Sequence, residues 1–152
     1  MRNNKLILSF FFLVILLAML PAGCRTEPIF TLKNHPIATV GGTPMESEVV
    51  ANGIVQAGNR LGWKMTRRGP NTVLAYINSD DRQAVVLISF TQKTYSVKYL
   101  NSKNFLYDGQ KIHKSYNNIA LNLARSINDE LNGIANKARF EKGDIYIKKY
   151  KM

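Results

Sequence analysis

The chain has 152 residues, 45% of them hydrophobic, one cysteine, and 21 basic against 10 acidic side chains, a formal charge of +11 at pH 7. This length supports one domain with a core of its own, and a single cysteine excludes an internal disulfide. The basic excess admits nucleic acid, anionic lipid or an acidic protein as a partner.

Met1-Arg2-Asn3-Asn4-Lys5 is a short basic start, and Leu6 to Leu20 is an unbroken apolar or small run, followed at once by Pro21-Ala22-Gly23-Cys24. A basic start, an apolar stretch and small residues before a cut site make a secretory signal. The stretch from Leu6 to Ala22 is at the bottom of the range for a spanning helix, which wants about 20 residues. Arg2 and Lys5 suit the cytoplasmic side.

The segment Leu20-Pro21-Ala22-Gly23-Cys24 resembles the lipobox of bacterial lipoproteins. In that family the cysteine thiol receives a diacylglycerol and a peptidase cuts just before it. Ala22 and Gly23 fit the pattern, whereas Pro21 stands where an aliphatic residue is usual, with Leu20 one place early. The resemblance implies a signal peptide over residues 1–23 and lipidation at Cys24. Each buried methylene contributes about 0.8 kcal/mol, and one acyl chain alone binds only marginally. The two or three chains of such lipoproteins hold permanently. Arg25 follows the cysteine where an Asp commonly retains Gram-negative lipoproteins at the inner membrane. The resemblance therefore implies the periplasmic side of the outer membrane. The alternative is an ordinary secretory signal or an uncleaved anchor. Loss of Arg2 and Lys5 takes the basic residues from 21 to 19 against 10 acidic. Export argues against nucleic acid, and a cytosolic nucleic-acid binder survives as a reading only if the N-terminus is not exported. The bilayer, an envelope protein or an anionic envelope component remain as partners.

Residues 24–42 hold two prolines and Gly41-Gly42, which argue against a helix. They read as a tether, with a short edge strand near Ile37–Val40. Fully stretched it would reach about 60 Å at roughly 3.3 Å per residue. The domain is expected over 43–139. Thr43-Pro44-Met45-Glu46 reads as a capping box opening a helix. Val50, Ile54, Ala57 and Leu61 share one face of that helix, and Gly62 ends it. Gly53 and Gly58 weaken it, so packing must hold it. The period then becomes two. Trp63–Thr66 alternates, Arg67–Asn71 turns, and Val73, Ala75 and Ile77 alternate. Ser79–Arg82 turns again, Ala84, Val86, Ile88 and Phe90 line a third strand, and Tyr95, Val97 and Tyr99 a fourth. This predicts an antiparallel meander with one face on the core.

Leu74, Tyr76, Val85, Leu87 and Leu100 fall on the opposite face. They are either scattered surface hydrophobes or a partner surface. Residues 101–112 read as a loop with an Asp-Gly turn. A second helix follows from His113 or Ser115, with Tyr116, Ile119, Ala120, Leu123, Ile127, Leu131 and Ile134 in a stripe. Residues 140–152 read as a basic C-terminal tail, with an added strand as the other possibility. The predicted fold is a two-layer α+β domain: helix, four-stranded meander, helix, with both helices on one face.

Five stretches resemble a family of small Gram-negative lipoproteins that has no assigned activity. They are Ala22–Thr26, Leu61–Met65, Ala84–Ile88, Tyr95–Tyr99 and Ile112–Asn117, and they span most of the chain from Cys24 to Ile127. The resemblance implies export, lipidation and an α+β domain, and adds nothing on chemistry.

No catalytic constellation stands out. The two histidines, His35 and His113, have neither a cysteine to join them nor a second histidine at metal spacing, so no metal and no cofactor are expected. Val40-Gly41-Gly42-Thr43 lacks the lysine of a phosphate loop. Ser96, Ser102 or Ser115 with His113 and Asp108 would make a small hydrolase, but no motif fixes such a trio. Phe105, Tyr107, His113, Tyr116 and Asn117 gather at one loop-to-helix junction. With Leu74, Tyr76 and Leu87 they are the candidate partner-binding residues of a non-enzymatic accessory module.

Overall fold

The computed structural model describes residues 25–150. The expected signal peptide, the Cys24 lipidation site and residues 151–152 lie outside them. The elements are β1 (Thr26–Pro28), β2 (Leu32–Pro36), α1 (Ser47–Arg60), β3 (Lys64–Gly69), β4 (Thr72–Ser79), β5 (Arg82–Phe90), β6 (Thr94–Lys103), β7 (Lys111–His113) and α2 (Lys114–Tyr150). The chain is α+β, with a five-stranded antiparallel sheet ordered β2-β6-β5-β4-β3 and a separate β1-β7 pair.

The meander forms because its alternation has one buried side. Val73, Ala75, Ala84, Val86, Ile88, Phe90, Tyr95 and Val97 are all buried, and the residues between them are not. Turn chemistry fixes the register. Asp80 takes a positive φ of 54° between β4 and β5, and the Thr91 hydroxyl accepts the amides of Lys93 and Thr94 between β5 and β6. Leu100 is an extra residue in β6, since Val86 faces Tyr99 while Val85 faces Asn101. This bulge reverses the alternation beyond it and turns Ser102 inward opposite Ala84.

The helices complete the core. Val50, Ala51, Ile54 and Ala57 of α1 join Tyr116, Ala120, Leu123, Ile127 and Leu131 of α2 in one cluster with the strands. Gly53 and Gly58 mark close approaches. A Cβ at Gly53 would lie 2.8 Å from Leu131 Cδ2, and one at Gly58 would lie 2.8 Å from Met65 Cγ. Arg60 and Glu130 pair at 2.6 Å between the two helices, and Arg67 forks onto Glu48 across the α1–β3 edge.

Six expectations are corrected. The 24–42 tether is not one, because β1 pairs with β7 and β2 adds a fifth strand beside β6. Pro28 and Pro36 are the last residues of β1 and β2, where a missing N–H costs least. The edge strand near Ile37–Val40 falls earlier, at Leu32–Pro36, with Asn34 bulged at φ 50°. The capping box does not form. Val40 and Thr43 exchange backbone hydrogen bonds across Gly41-Gly42, both at positive φ, and the helix starts three residues later than expected, at Ser47 with Glu46 as its cap residue. Leu61, expected on the apolar face of α1, is the C-cap residue and 41% exposed. The 101–112 loop is partly strand, and the stretch expected as a basic tail continues α2 to Tyr150, past Gly133. No helix among the described residues is long and apolar enough to cross a membrane.

Candidate functional site

The loop-to-helix junction forms around the start of α2. His113 immediately precedes the helix, and its Nδ1 accepts the Ser115 backbone amide at 3.2 Å, the position of an N-cap side chain. That bond makes Nδ1 an acceptor and assigns the ring proton to Nε2. The Ser115 hydroxyl, 2.7 Å from the same Nδ1, therefore donates to it and accepts from Arg82 Nη1 at 2.9 Å. The Arg82 guanidinium also sits 5.6 Å from the Phe105 ring centroid. Arg82, Ser115, Phe105, Ile77, Asp80 and Asp81 line a cleft of about 420 Å³.

Of the imagined hydrolytic trio only Ser115 and His113 meet. Ser96 holds the Asn34 amide, and Ser102 is bonded to the Tyr99 hydroxyl. Asp108 Oδ1 accepts the amides of Gln110 and Lys111 at 2.9 and 2.7 Å. The Lys111 amide, then that of Gln110, holds the Asp108 carboxyl below its ordinary range. It therefore shapes its own turn and orients no base. The pair can pass a proton between Oγ and Nδ1, but among the described residues no third group stands behind the ring. Among the described residues no three His, Cys, Asp or Glu side chains gather as metal ligands.

The remaining junction residues divide between core and clamp. Phe105 and Tyr116 are buried, at 4% and 0% exposed, and are not available to a partner. They meet edge to face, Tyr99 does the same with Tyr116, and Tyr107 packs on Tyr99 with centroids 4.6 Å apart. The Tyr116 hydroxyl is buried without a hydrogen-bond partner, and burial pushes its pKa up, with Tyr99 adding to the shift. Tyr107 is 42% exposed beside Leu106 at 63%. Asn117 takes the Phe30 amide on Oδ1 at 2.9 Å and donates from Nδ2 to the Pro28 carbonyl at 2.9 Å and, more weakly, to Glu27 at 3.4 Å. It clamps residues 27–30 to the helix. The Arg25 carbonyl accepts the Lys114 amide at 3.0 Å, so the first described residue is already bonded to α2.

Leu74, Tyr76 and Leu87 lie on the sheet face opposite the core. Leu74 pairs with Leu87 and Tyr76 with Val85 across the two central strands, and all four are half-buried. Lys98 is next to Leu87 on β6, and Lys64 is next to Tyr76 on β3. Lys103 shares the face beyond the bulge, opposite Gln83. Alternation already points to these residues in the sequence.

A second cluster is not visible in the sequence. His35 of β2 stacks edge-on against Tyr95 and meets Asn128 of α2 at 3.2 Å, beside a groove of about 160 Å³. The Tyr95 hydroxyl donates to the Ala124 carbonyl at 2.9 Å, and burial, then the Asp129 charge, push its pKa up to about 12. The histidine–proline pair reads as linker, and only the β2–β6 pairing brings it to the helix. Arg82 is likewise hidden in what reads as a turn.

Neither the protein-family models nor the curated proteins compared with the chain match it.

Proposed function

We propose that the chain is an outer-membrane lipoprotein, anchored through acylated Cys24 on the periplasmic side, whose domain is a non-enzymatic binding or assembly module for an envelope partner. The lipobox resemblance of Leu20–Cys24 supports the anchor. The open sheet face carries the binding role. Leu74, Tyr76, Val85 and Leu87 form a contiguous apolar block on the two central strands, with Lys64, Lys98 and Lys103 beside it. An outward face of a sheet is ordinarily polar, and an apolar centre with a charged rim is the composition of a docking surface. The rim favours an acidic partner over a second copy, whose lysines would meet these.

A photo-crosslinking residue at Leu87, introduced in intact membranes, tests the binding role. A discrete adduct from position 87, absent from position 52 on the exposed side of α1, is expected. No adduct, or the same pattern from both positions, contradicts it. The intact mass of a Cys24→Ser variant tests the anchor: the variant should lack the acyl groups and keep the leader that the parent loses.

The Ser115–His113 contact favours a second reading, a small periplasmic hydrolase centred on His113. The binding role is preferred because the same nitrogen caps α2, and Asp108 is held in its own turn. Ester turnover that disappears in Ser115→Ala would reverse the preference.

A further inference from the structure

Only one residue, Arg25, separates the lipid-bearing position of the anchor reading from paired structure. Thr26 pairs with His113, Arg25 accepts the Lys114 amide, and Asn117 fastens Pro28 and Phe30. A domain joined this closely cannot stand off the bilayer or turn freely over it. The surface around Arg25 must lie against the headgroups.

That surface is suited to the position. On the other side of β7 from β1, the Phe105 carbonyl accepts the His113 amide and the Lys111 carbonyl accepts the Asp108 amide. Segment 105–108 is therefore two strand spacings, about 10 Å, from β1. It carries Leu106 and Tyr107, two of the large apolar side chains exposed on the described surface, at 63% and 42%. Arg25, Lys103, Lys111 and Lys114, all exposed, stand around it against Glu27, Asp108 and the Asp81 that Asn104 bonds. Exposed leucine and tyrosine among cations are what an anionic interface takes: apolar side chains enter the headgroup boundary, and the cations meet lipid phosphates.

We propose that residues 104–111, with Arg25 and Lys114, form the face the domain lays on an anionic bilayer. This rests on the anchor reading. The open sheet face is left free for a partner, and Lys103 stands where the two surfaces meet. Charge complementarity and the one-residue link select lipid as the occupant here.

The test uses the full-length protein, processed in cells, purified from membranes and reconstituted in phosphatidylglycerol–phosphatidylethanolamine vesicles. With Cys24 acylated the chain has no other thiol, so Leu106→Cys and Gln92→Cys each accept one fluorophore. Gln92 is in the turn at the opposite end of β6, a strand of ten residues, about 30 Å long. A quencher carried on the lipid chains should quench the label at 106 at least fivefold more than the label at 92, and the contrast should shrink in pure phosphatidylcholine. Lys111→Cys supplies a second position on the same face should the Leu106 variant fold poorly. Equal quenching at both ends of the domain on lipidated protein overturns the orientation and leaves the anchor standing. An intact mass without acyl chains at Cys24 overturns both.

Discussion

Replacing Asn117 by Ala should release the N-terminal segment while leaving the rest of the domain in place. Two good hydrogen bonds are lost, from the Phe30 amide and to the Pro28 carbonyl, each 2.9 Å, together with the weaker contact to Glu27. At about 1 kcal/mol net per bond the segment loses about 2 kcal/mol, close to a 30-fold rise in its open fraction. Alanine is the better helix former by roughly 0.5 kcal/mol, so α2 itself does not weaken. The two effects act on different parts of the molecule, and amide hydrogen exchange separates them. Exchange at Ile29 and Phe30 should accelerate by about 30-fold, while Val86, in the centre of the sheet, changes less than about twofold. Equal acceleration at Val86 would mean that Asn117 supports the whole fold, and no acceleration at Phe30 would mean that the clamp carries no energy. Either result rules out a local clamp at Asn117.

Gly58→Ala should destabilise the domain by about 1 kcal/mol in chemical denaturation, because overpacking against the Met65 chain costs about 1–3 kcal/mol and the gain in helix propensity is about 1. Gly53→Ala should cost less than Gly58→Ala, since the nearest atoms to its Cβ are the side-chain tips of Leu131 and Ile134, and an equal loss at both glycines would contradict the distinction. Tyr116→Phe removes a buried hydroxyl that has no partner and should raise stability by about 1 kcal/mol, whereas a loss of that size would reveal a bond at that oxygen. Tyr95 is held neutral up to about pH 12 by folding, above the ordinary 10 of an unfolded tyrosine. Its contribution is complete below pH 10 and is lost as pH rises from 10 through 12. Melting temperatures across that window should fall more steeply for the parent than for Tyr95→Phe, and parallel profiles would contradict the assignment.

The central strands and the helix faces are legible in the sequence because each has one buried side. Val73, Ala75, Ala84, Val86 and Ile88 repeat at two, and Tyr116, Ala120, Leu123 and Ile127 at helical spacing. What is not legible depends on distant partners. Leu32 finds Val97 and Thr26 finds His113, 65 and 87 positions away, so β1 and β2 carry no local signal beyond two prolines that suit a linker equally well. Thr43 has the letters of a cap, but the Gly41-Gly42 turn claims its backbone first. The lysine-rich stretch after Phe140 has the same composition as a tail or as a solvated helix, and continuity with the packed turns of α2 makes it helical. In the candidate site, position alone points to His113 and Asn117. Their actual work, one as a cap and one as a clamp, depends on Ser115 at its elbow and on residues 27–30. Phe105 and Tyr116 are aromatic for the core's sake.

The mass of the N-terminal peptide from membrane-extracted protein reaches the centre of the account. The mature chain should start at Cys24 and carry two or three acyl groups. A chain that still starts at Met1, or a free thiol at position 24, would contradict it.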